Sequence, residues 1–180
     1  MPEGRPDPAP PGSVPGGSGA GAIDPGDPRP AAEYELLEHT ADVGIRAWAG
    51  TLEAAFEQAT EGMAEVLGAL VPEGSGPPGL SPGGSEGPGE AVRVEVSADD
   101  PGGLLVDWLN EVLWLREVRQ AALAGVRVER VTDSSASGWV AFSGDGPAPA
   151  GTFVKAVTYH RLRVEPDPGG GWLIEVYLDV

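Results

Sequence analysis

Two hydrophobic periods alternate along this chain, and their order limits the folds that it can adopt. Apolar residues recur at every second position in short runs typical of strands, and at three- and four-residue spacing in two longer runs typical of helices. The predicted order is two strands, a helix, a strand, a helix and about four strands. This order favours an α+β fold, a single domain with two helices packed on one face of a mostly antiparallel β-sheet.

The first predicted helix follows Thr51, a plausible N-cap, and should stop before Pro72. Its apolar face comprises Leu52, Ala55, Phe56, Ala59, Met63, Val66, Leu67 and Leu70. The second helix has a stronger start signal, because Asp100 precedes a proline at the first helical position. Its predicted buried face comprises Leu104, Leu105, Trp108, Leu109, Val112 and Leu113, with Asp107, Glu111 and Glu117 toward solvent.

The remaining periodic runs predict strands. They cover residues 34–37, 43–49, 91–98, 126–131, 138–144, 153–165 and 172–180. A hairpin turn is predicted at 167–171, where Asp-Pro-Gly-Gly-Gly separates the last two strands.

Two segments have a composition that cannot support a packed core. The chain contains 28 glycines and 19 prolines, and many of them fall in residues 1–32 and 73–90. Such segments bury too little apolar surface to offset the entropy of ordering. We therefore predict a disordered tail at 1–32 and a domain at 33–180 with a flexible insertion at 73–90.

The net charge and the cysteine content limit the classes of partner and of site that the chain can have. The net charge of -17 disfavours direct, stable nucleic-acid binding and suits cations or basic protein partners, although it also serves solubility. The absence of cysteine excludes thiol catalysis and zinc-thiolate or iron–sulfur sites. We see no signal peptide and no membrane-spanning run, so we expect a soluble cytoplasmic protein with no membrane partner.

Hard oxygen donors occur near two predicted strand ends. Asp42 lies where the second strand begins, and Asp179 and Val180 lie where the last strand ends. If those strands are neighbours, the carboxylates of Asp42, Asp179 and the Val180 chain end converge, and up to three anionic oxygen groups suit Ca²⁺, Mg²⁺ or Mn²⁺. The alternative is that Asp42 is a turn residue and Asp179 is solvated, since no spacing such as an EF-hand loop is present.

Lys155 and two histidines are the other candidates for chemistry. Lys155 is expected to share a strand face with Phe153 and Val157. Its side chain is either solvated, or balances the charge of the acidic cluster, or contacts a phosphate. His39 and His160 are most simply structural, although an iron site of two histidines and a carboxylate is conceivable. The usual hydrolase, P-loop and dinucleotide signatures are absent.

Three segments together resemble the archease family. They are 34–63, 104–115 and 154–164, and a terminal Leu-Asp-Val follows them. The motifs H-T-A-D-x-G and K-A-x-T-Y-H, with an Asp plus an aliphatic residue at the end, carry the resemblance. It extends from Tyr34 to Val180, apart from the insertion at 73–90. The chain ends in Asp-Val where the family usually has Asp-Ile, which keeps both carboxylates.

The resemblance implies a specific function. Archeases are non-catalytic partners of the RtcB-type RNA ligase, which uses GTP to join RNA 3′-phosphate or cyclic-phosphate ends to 5′-hydroxyls in tRNA splicing or RNA repair. They promote guanylylation of the ligase and multiple turnover. By resemblance, Asp42, Asp179 and Val180 would hold a divalent cation, expected to be Ca²⁺, and Lys155 would be the functional lysine.

Other functions remain open on the residues alone. A general chaperone or cation-binding module would protect unrelated proteins and show no preference for a ligase. A metal-dependent phosphoester hydrolase would use His39, His160 and the carboxylates, and the isolated protein would then turn over a substrate.

Overall fold

The structure, a computed structural model, describes residues 32–38, 42–68, 91–143 and 151–180. Within these ranges the element order is the predicted one, and the α+β class is confirmed. The elements are β1 (Ala32–Glu38), β2 (Asp42–Ala49), α1 (Leu52–Val66), β3 (Ala91–Ser97), α2 (Pro101–Arg119), β4 (Leu123–Val131), β5 (Ser135–Phe142), β6 (Ala156–Pro166) and β7 (Trp172–Asp179). The predicted insertion, and the predicted tail apart from Ala32, lie outside the described residues.

The strands divide into two antiparallel sheets. The large sheet has the order β1-β2-β7-β6, and the small sheet has the order β3-β5-β4. Each helix contacts both: α1 packs on β1, β2 and β7 and also on β4, while α2 packs on β6 and also on β3 and β5. The helices therefore lie between two sheets, where the sequence predicted a single sheet with one helical face.

This position explains why the buried face of α2 is broad, although Asp107 and Glu117 on its other side are exposed. Besides the predicted face, Val106 and Leu115 are buried, at 3% and 7% exposure. A helix that packs on two sheets needs a wider apolar face than one that packs on a single sheet. Neither α1 nor α2, the helices of the described ranges, is long and apolar enough to span a membrane.

The start of α2 is as predicted, but the end of α1 is not. The Asp100 carboxylate accepts a hydrogen bond from the Gly103 N–H at 2.8 Å, as expected for an N-cap. The predicted extension of the first helix to residue 70 is wrong, because α1 ends at Val66. Gly68 adopts a φ of 64°, the left-handed conformation that closes many helices and that glycine adopts without steric cost.

Side chains of α1 cover the outer edge of the small sheet. The Glu57 carboxylate accepts a hydrogen bond from the Val128 N–H at 2.8 Å. Glu53 accepts one from the Val131 N–H at 3.1 Å. Both donors belong to the edge strand β4, whose unpaired groups would otherwise offer a template for another strand.

One of the two edge strands of the large sheet, β6, receives a similar contact. Asn110 of α2 accepts a hydrogen bond from the Val157 N–H of β6 at 3.0 Å. The strand begins at Ala156, where pairing with β7 begins, so the predicted start at Phe153 is three residues too early. Lys155 therefore precedes the strand and is exposed while Val157 is buried, and the predicted common face of the two is wrong.

Candidate functional site

The register of the large sheet brings the two predicted carboxylates together. β7 lies between β2 and β6, and Asp179 is the register partner of both Asp42 and Ala156. Side chains directly opposite each other in antiparallel strands share a face, with Cβ atoms about 5 Å apart. Asp42 and Asp179 thus form a carboxylate pair at one end of the large sheet.

Lys155 completes this cluster from the residues that lead into the neighbouring strand β6. Its N–H donates to the Asp179 carbonyl at 2.8 Å, which fixes the backbone of residue 155 beside the pair. Its ammonium group donates to the main-chain oxygen of Val180 at 2.8 Å and lies 3.6 Å from Asp179 Oδ1. The four predicted residues Asp42, Lys155, Asp179 and Val180 are therefore adjacent, and we call them the tip.

The tip is open to solvent. The side chains of Lys155 and Asp179 are 55% and 48% exposed, so a partner can reach them without a change in the fold. Ion pairs at such exposure add little stability, roughly 0–1 kcal/mol. Their arrangement therefore does little for folding, and the residues are available for binding.

The donor set of the tip fits a hard cation in type. Two carboxylates and a main-chain oxygen are the ligands that Ca²⁺ and Mg²⁺ prefer. Within the described ranges no three His, Cys, Asp or Glu side chains are grouped to hold a metal. Because Ca²⁺ takes about six to eight oxygens, water or a partner's oxygens would have to supply the rest.

Of the two predicted histidines, the one that the structure describes, His160, is not part of the tip. His39 falls outside the described residues. His160 lies in β6 with its ring centroid 6.0 Å from that of Tyr177 and the planes at 72°. Its N–H donates to the Thr158 hydroxyl at 3.4 Å. A functional role for either histidine stays a prediction.

His160 lies within a bulge of β6. Pairing with β7 shifts between Thr158 and Arg163, and Arg161 has a φ of 53°, which is uncommon for a residue with a side chain. The Arg161 guanidinium lies 5.9 Å from the Tyr177 ring centroid. Bulges of this kind re-aim side chains at the rim of a sheet.

Tyr177 and Gly44 form a support beneath the tip that the sequence reading did not identify. They are register partners and lie two residues along each strand from the carboxylate pair, on the same face of the sheet. A Cβ added at Gly44 would lie 2.9 Å from the Tyr177 ring, so glycine is what lets the ring lie against β2. The sequence contained a signal for them. Side chains alternate along a strand, so Gly44 shares a face with Asp42, and Tyr177 shares a face with Asp179.

Two residues further along the same two strands, an ion-pair network lies on the same face. Arg46 lies 2.6 Å from Glu35 and 3.1 Å from Glu175, and the Tyr177 hydroxyl donates to Glu175 at 3.0 Å. Burial lowers the pKa of Arg46, but the hydrogen bond to Glu175 and the two carboxylate charges outweigh it and raise the pKa overall. The guanidinium therefore stays charged and holds three strands together.

Comparisons with known proteins agree on one family. The model of the archease protein family matches residues 34–180. Proteins named archease from Methanosarcina mazei and Methanosarcina acetivorans are 32% and 31% identical, and each alignment covers 85% of this chain and 99% of the relative. The solution structure of Methanobacterium thermoautotrophicum protein 1598 superposes with a TM-score of 0.57 at 27% identity, covering 82% of this chain and 98% of that one.

Proposed function

This chain belongs to the archease family, and we propose that it is a non-catalytic protein cofactor of an RtcB-type, GTP-dependent RNA ligase. In this role it promotes guanylylation of the ligase and allows the ligase to turn over repeatedly in tRNA splicing or RNA repair. Family membership supports the coarser statement, a protein-cofactor role in RNA processing, in preference to catalysis by the chain itself.

The tip is the observation that carries the proposal. Asp42, Asp179 and Val180 converge although 137 positions separate the two aspartates in the sequence (179 minus 42). These are the positions at which the family resemblance implies a cation. The charges of this cluster are exposed and contribute little to folding, so they are available for binding.

The chemistry available at the tip suits nucleotidyl transfer. A divalent cation, when bound, supplies positive charge that can neutralise and align the phosphates of GTP. Asp42 and Asp179 would hold it, while the exposed tip enters the ligase cleft. Lys155 would exchange its contact with Val180 for a phosphate oxygen or a ligase group. The contribution is positioning and electrostatics, which are large terms in phosphoryl transfer.

The first test is ligation by the cognate ligase with RNA in large excess. The chain is expected to convert a stalled single round into many rounds. Asp42→Asn and Asp179→Asn should each lower this stimulation by about tenfold or more, because each removes an anionic ligand. They should also weaken Ca²⁺, Mg²⁺ or Mn²⁺ binding by the isolated chain, as measured by titration calorimetry.

The matched control is Glu33→Gln, which removes an exposed carboxylate in β1, at the opposite end of the β1–β2 pairing from Asp42. It should leave both stimulation and cation binding unchanged. Full stimulation by Asp42→Asn would rule out the tip mechanism. No stimulation by the wild-type chain of a competent ligase would reject the ligase partner itself. Protection of unrelated proteins would then support the chaperone alternative, and phosphoester turnover by the isolated chain would support the hydrolase.

A further inference from the structure

The exposed large hydrophobic side chains of the described ranges are concentrated on one side of the molecule. They are Trp114, Val118, Phe153 and Tyr159, which are 54%, 61%, 67% and 63% exposed. Two lie in α2, one lies just before β6 and one lies in β6. None lies in the small sheet, in α1, or in the described parts of β1, β2 and β7. Apolar groups that gather in one place usually mark an interaction surface.

The contacts between α2 and β6 show how these residues are arranged. At one end, a Cβ added at Gly103 would lie 3.8 Å from the Tyr159 hydroxyl oxygen. Further along, Asn110 bonds the Val157 N–H. The helix therefore runs antiparallel to the strand. Trp114, one turn beyond Asn110, comes level with the residues that lead into β6, which include Phe153 and Lys155.

The apolar residues therefore extend to the tip. Lys155 is two residues after Phe153 and bonds Val180. We call this surface the α2/β6 flank and define it as Asp107, Glu111, Trp114, Glu117, Val118, Phe153 and Tyr159. A partner that receives the tip meets this flank next.

The helical part of the flank is acidic. Asp107, Glu111, Trp114 and Val118 follow one stripe at spacings of four, three and four residues, and Glu117 adjoins it. The basic residues of this half of the helix point into the fold. Arg116 donates to the Leu67 carbonyl at 3.4 Å, and the Arg119 guanidinium lies 5.6 Å from the Phe142 ring centroid.

We propose that the α2/β6 flank is the surface through which this chain docks on the RNA ligase. The expected counterpart is an apolar pocket for Trp114 and Phe153, bordered by Lys and Arg side chains. This inference rests on the proposed function, and it identifies the surface that provides the affinity of this chain for the ligase. A protein that binds RNA carries basic surface, which complements Asp107, Glu111 and Glu117. An exposed tryptophan is the residue type that most often dominates a protein interface.

Charge argues against other occupants of the flank. A second copy would bring two chains of net charge -17 together through the same acidic stripe, which like-charge repulsion opposes. RNA would place its phosphates against the same carboxylates. A basic protein partner is the occupant that the charges favour.

The docking surface and the tip then have separable roles. The flank provides affinity, and the tip acts on the bound nucleotide once the complex has formed. Trp114→Ala and Phe153→Ala should each raise the Kd for the ligase by about tenfold or more. Stimulated turnover should return to the wild-type value when these variants are added at saturating concentration. Asp179→Asn should show the opposite pattern, with nearly unchanged binding and reduced turnover at saturation.

A charge-matched pair tests the acidic stripe separately from the apolar contacts. Glu117→Lys places a positive charge on the flank, and Glu33→Lys makes the same change on β1, at the far edge of the large sheet from β6. Both side chains are exposed, so neither change should disturb folding, which circular dichroism can check. Glu117→Lys should weaken ligase binding by about tenfold, and Glu33→Lys should leave it near the wild-type value.

The outcomes separate this inference from the proposed function. If the wild-type chain neither binds nor stimulates the ligase, the proposed function fails and the inference fails with it. If the wild-type chain stimulates but Trp114→Ala and Phe153→Ala bind as tightly as wild type, only the flank assignment is wrong. A dimer in sedimentation that Trp114→Ala dissociates would assign the flank to a second copy. Binding of labelled RNA by the isolated chain, lost in Trp114→Ala, would assign it to RNA.

Discussion

Gly44 is the residue whose replacement should disturb the face below the tip most directly. A Cβ there would lie 2.9 Å from the Tyr177 ring, which is closer than van der Waals contact allows. We expect Gly44→Ala to lower the free energy of unfolding by about 1–3 kcal/mol, the usual cost of overpacking. Chemical denaturation measures this. The control is Gly50→Ala, since no atom lies within 4 Å of a Cβ at that position. Equal losses in both variants would contradict the role assigned to the ring.

Glu57 should give the protein a pH dependence of defined sign. Burial raises its pKa, and this outweighs the hydrogen bond from Val128 and the charge of Arg127, which lower it. A raised pKa means that the folded state binds the proton more tightly. The stabilisation is therefore fully present below the ordinary value of 4.5 and is lost as pH rises through the folded-state pKa.

The test compares Glu57→Gln with the wild type in urea titrations across this pH range. Glutamine keeps an acceptor oxygen for the Val128 N–H but carries no charge. We expect the stability of the variant relative to wild type to increase as pH rises above about 4.5. A relative stability that is flat or that falls with pH would contradict the assignment.

Part of the tip was predictable residue by residue. Asp42, Asp179 and Val180 were identified because hard oxygen donors stood near strand ends, and the register brought them together. The contact between Lys155 and Val180 was not predictable, because it depends on where β6 begins. That point is set by pairing with β7, a non-local property.

Asn110 of α2 satisfies a backbone hydrogen-bond donor of β6. It supplies the acceptor for the Val157 N–H at the outer edge of the large sheet. Asn110→Leu would leave this donor unpaired, at a cost of about 1–3 kcal/mol. We expect faster hydrogen exchange at the Val157 amide and a lower free energy of unfolding. Asn110→Asp keeps an acceptor oxygen and should preserve the protection, whereas equal exchange rates in all three proteins would show that the bond is unimportant.

The elements themselves were largely predictable, and the misplaced boundaries have physical causes. The start of α2 followed from Asp100 and Pro101, whose capping chemistry is local. The predicted end of the first helix is wrong because Pro72 lies beyond Gly68, which already provides a left-handed closing residue. The apolar side chains of Val106 and Leu115, which widen the predicted buried face of α2, were a sign in the sequence that the helix is covered over a broad arc.

The charge of the whole molecule should govern how fast it meets its partner. A net charge of -17 attracts a basic protein at long range. Salt weakens this attraction, because at 0.1 M it screens charges that are more than about 10 Å apart. We expect the association rate constant with the ligase to fall by roughly tenfold or more as ionic strength rises from low to several times physiological. The dissociation rate should change much less, because the apolar contacts of the flank set it. Stopped-flow mixing measures both rates, and an association rate that is indifferent to salt would contradict electrostatic steering.

The arrangement of the elements was the least predictable level. The sequence order allowed a single sheet, but β3, β4 and β5 form a sheet of their own on the far side of the helices. The periodicity of a strand shows that one face is buried without showing which layer buries it. The choice depends on non-local pairing between complete elements. The family resemblance, in contrast, was confirmed because its motifs are local in sequence.

The central place of β7 in the large sheet has a consequence for biosynthesis. It comes after all the other strands in the sequence, yet it lies between β2 and β6. A nascent chain can form the β1–β2 hairpin and both helices early, but β2 and β6 have no strand between them until synthesis has passed Asp179. Folding of the large sheet therefore requires pairing between segments that are distant in the sequence, which is slow. Until β7 has paired, the apolar row that includes Ile45 lacks its partner strand, so the partly folded chain is the state most exposed to aggregation.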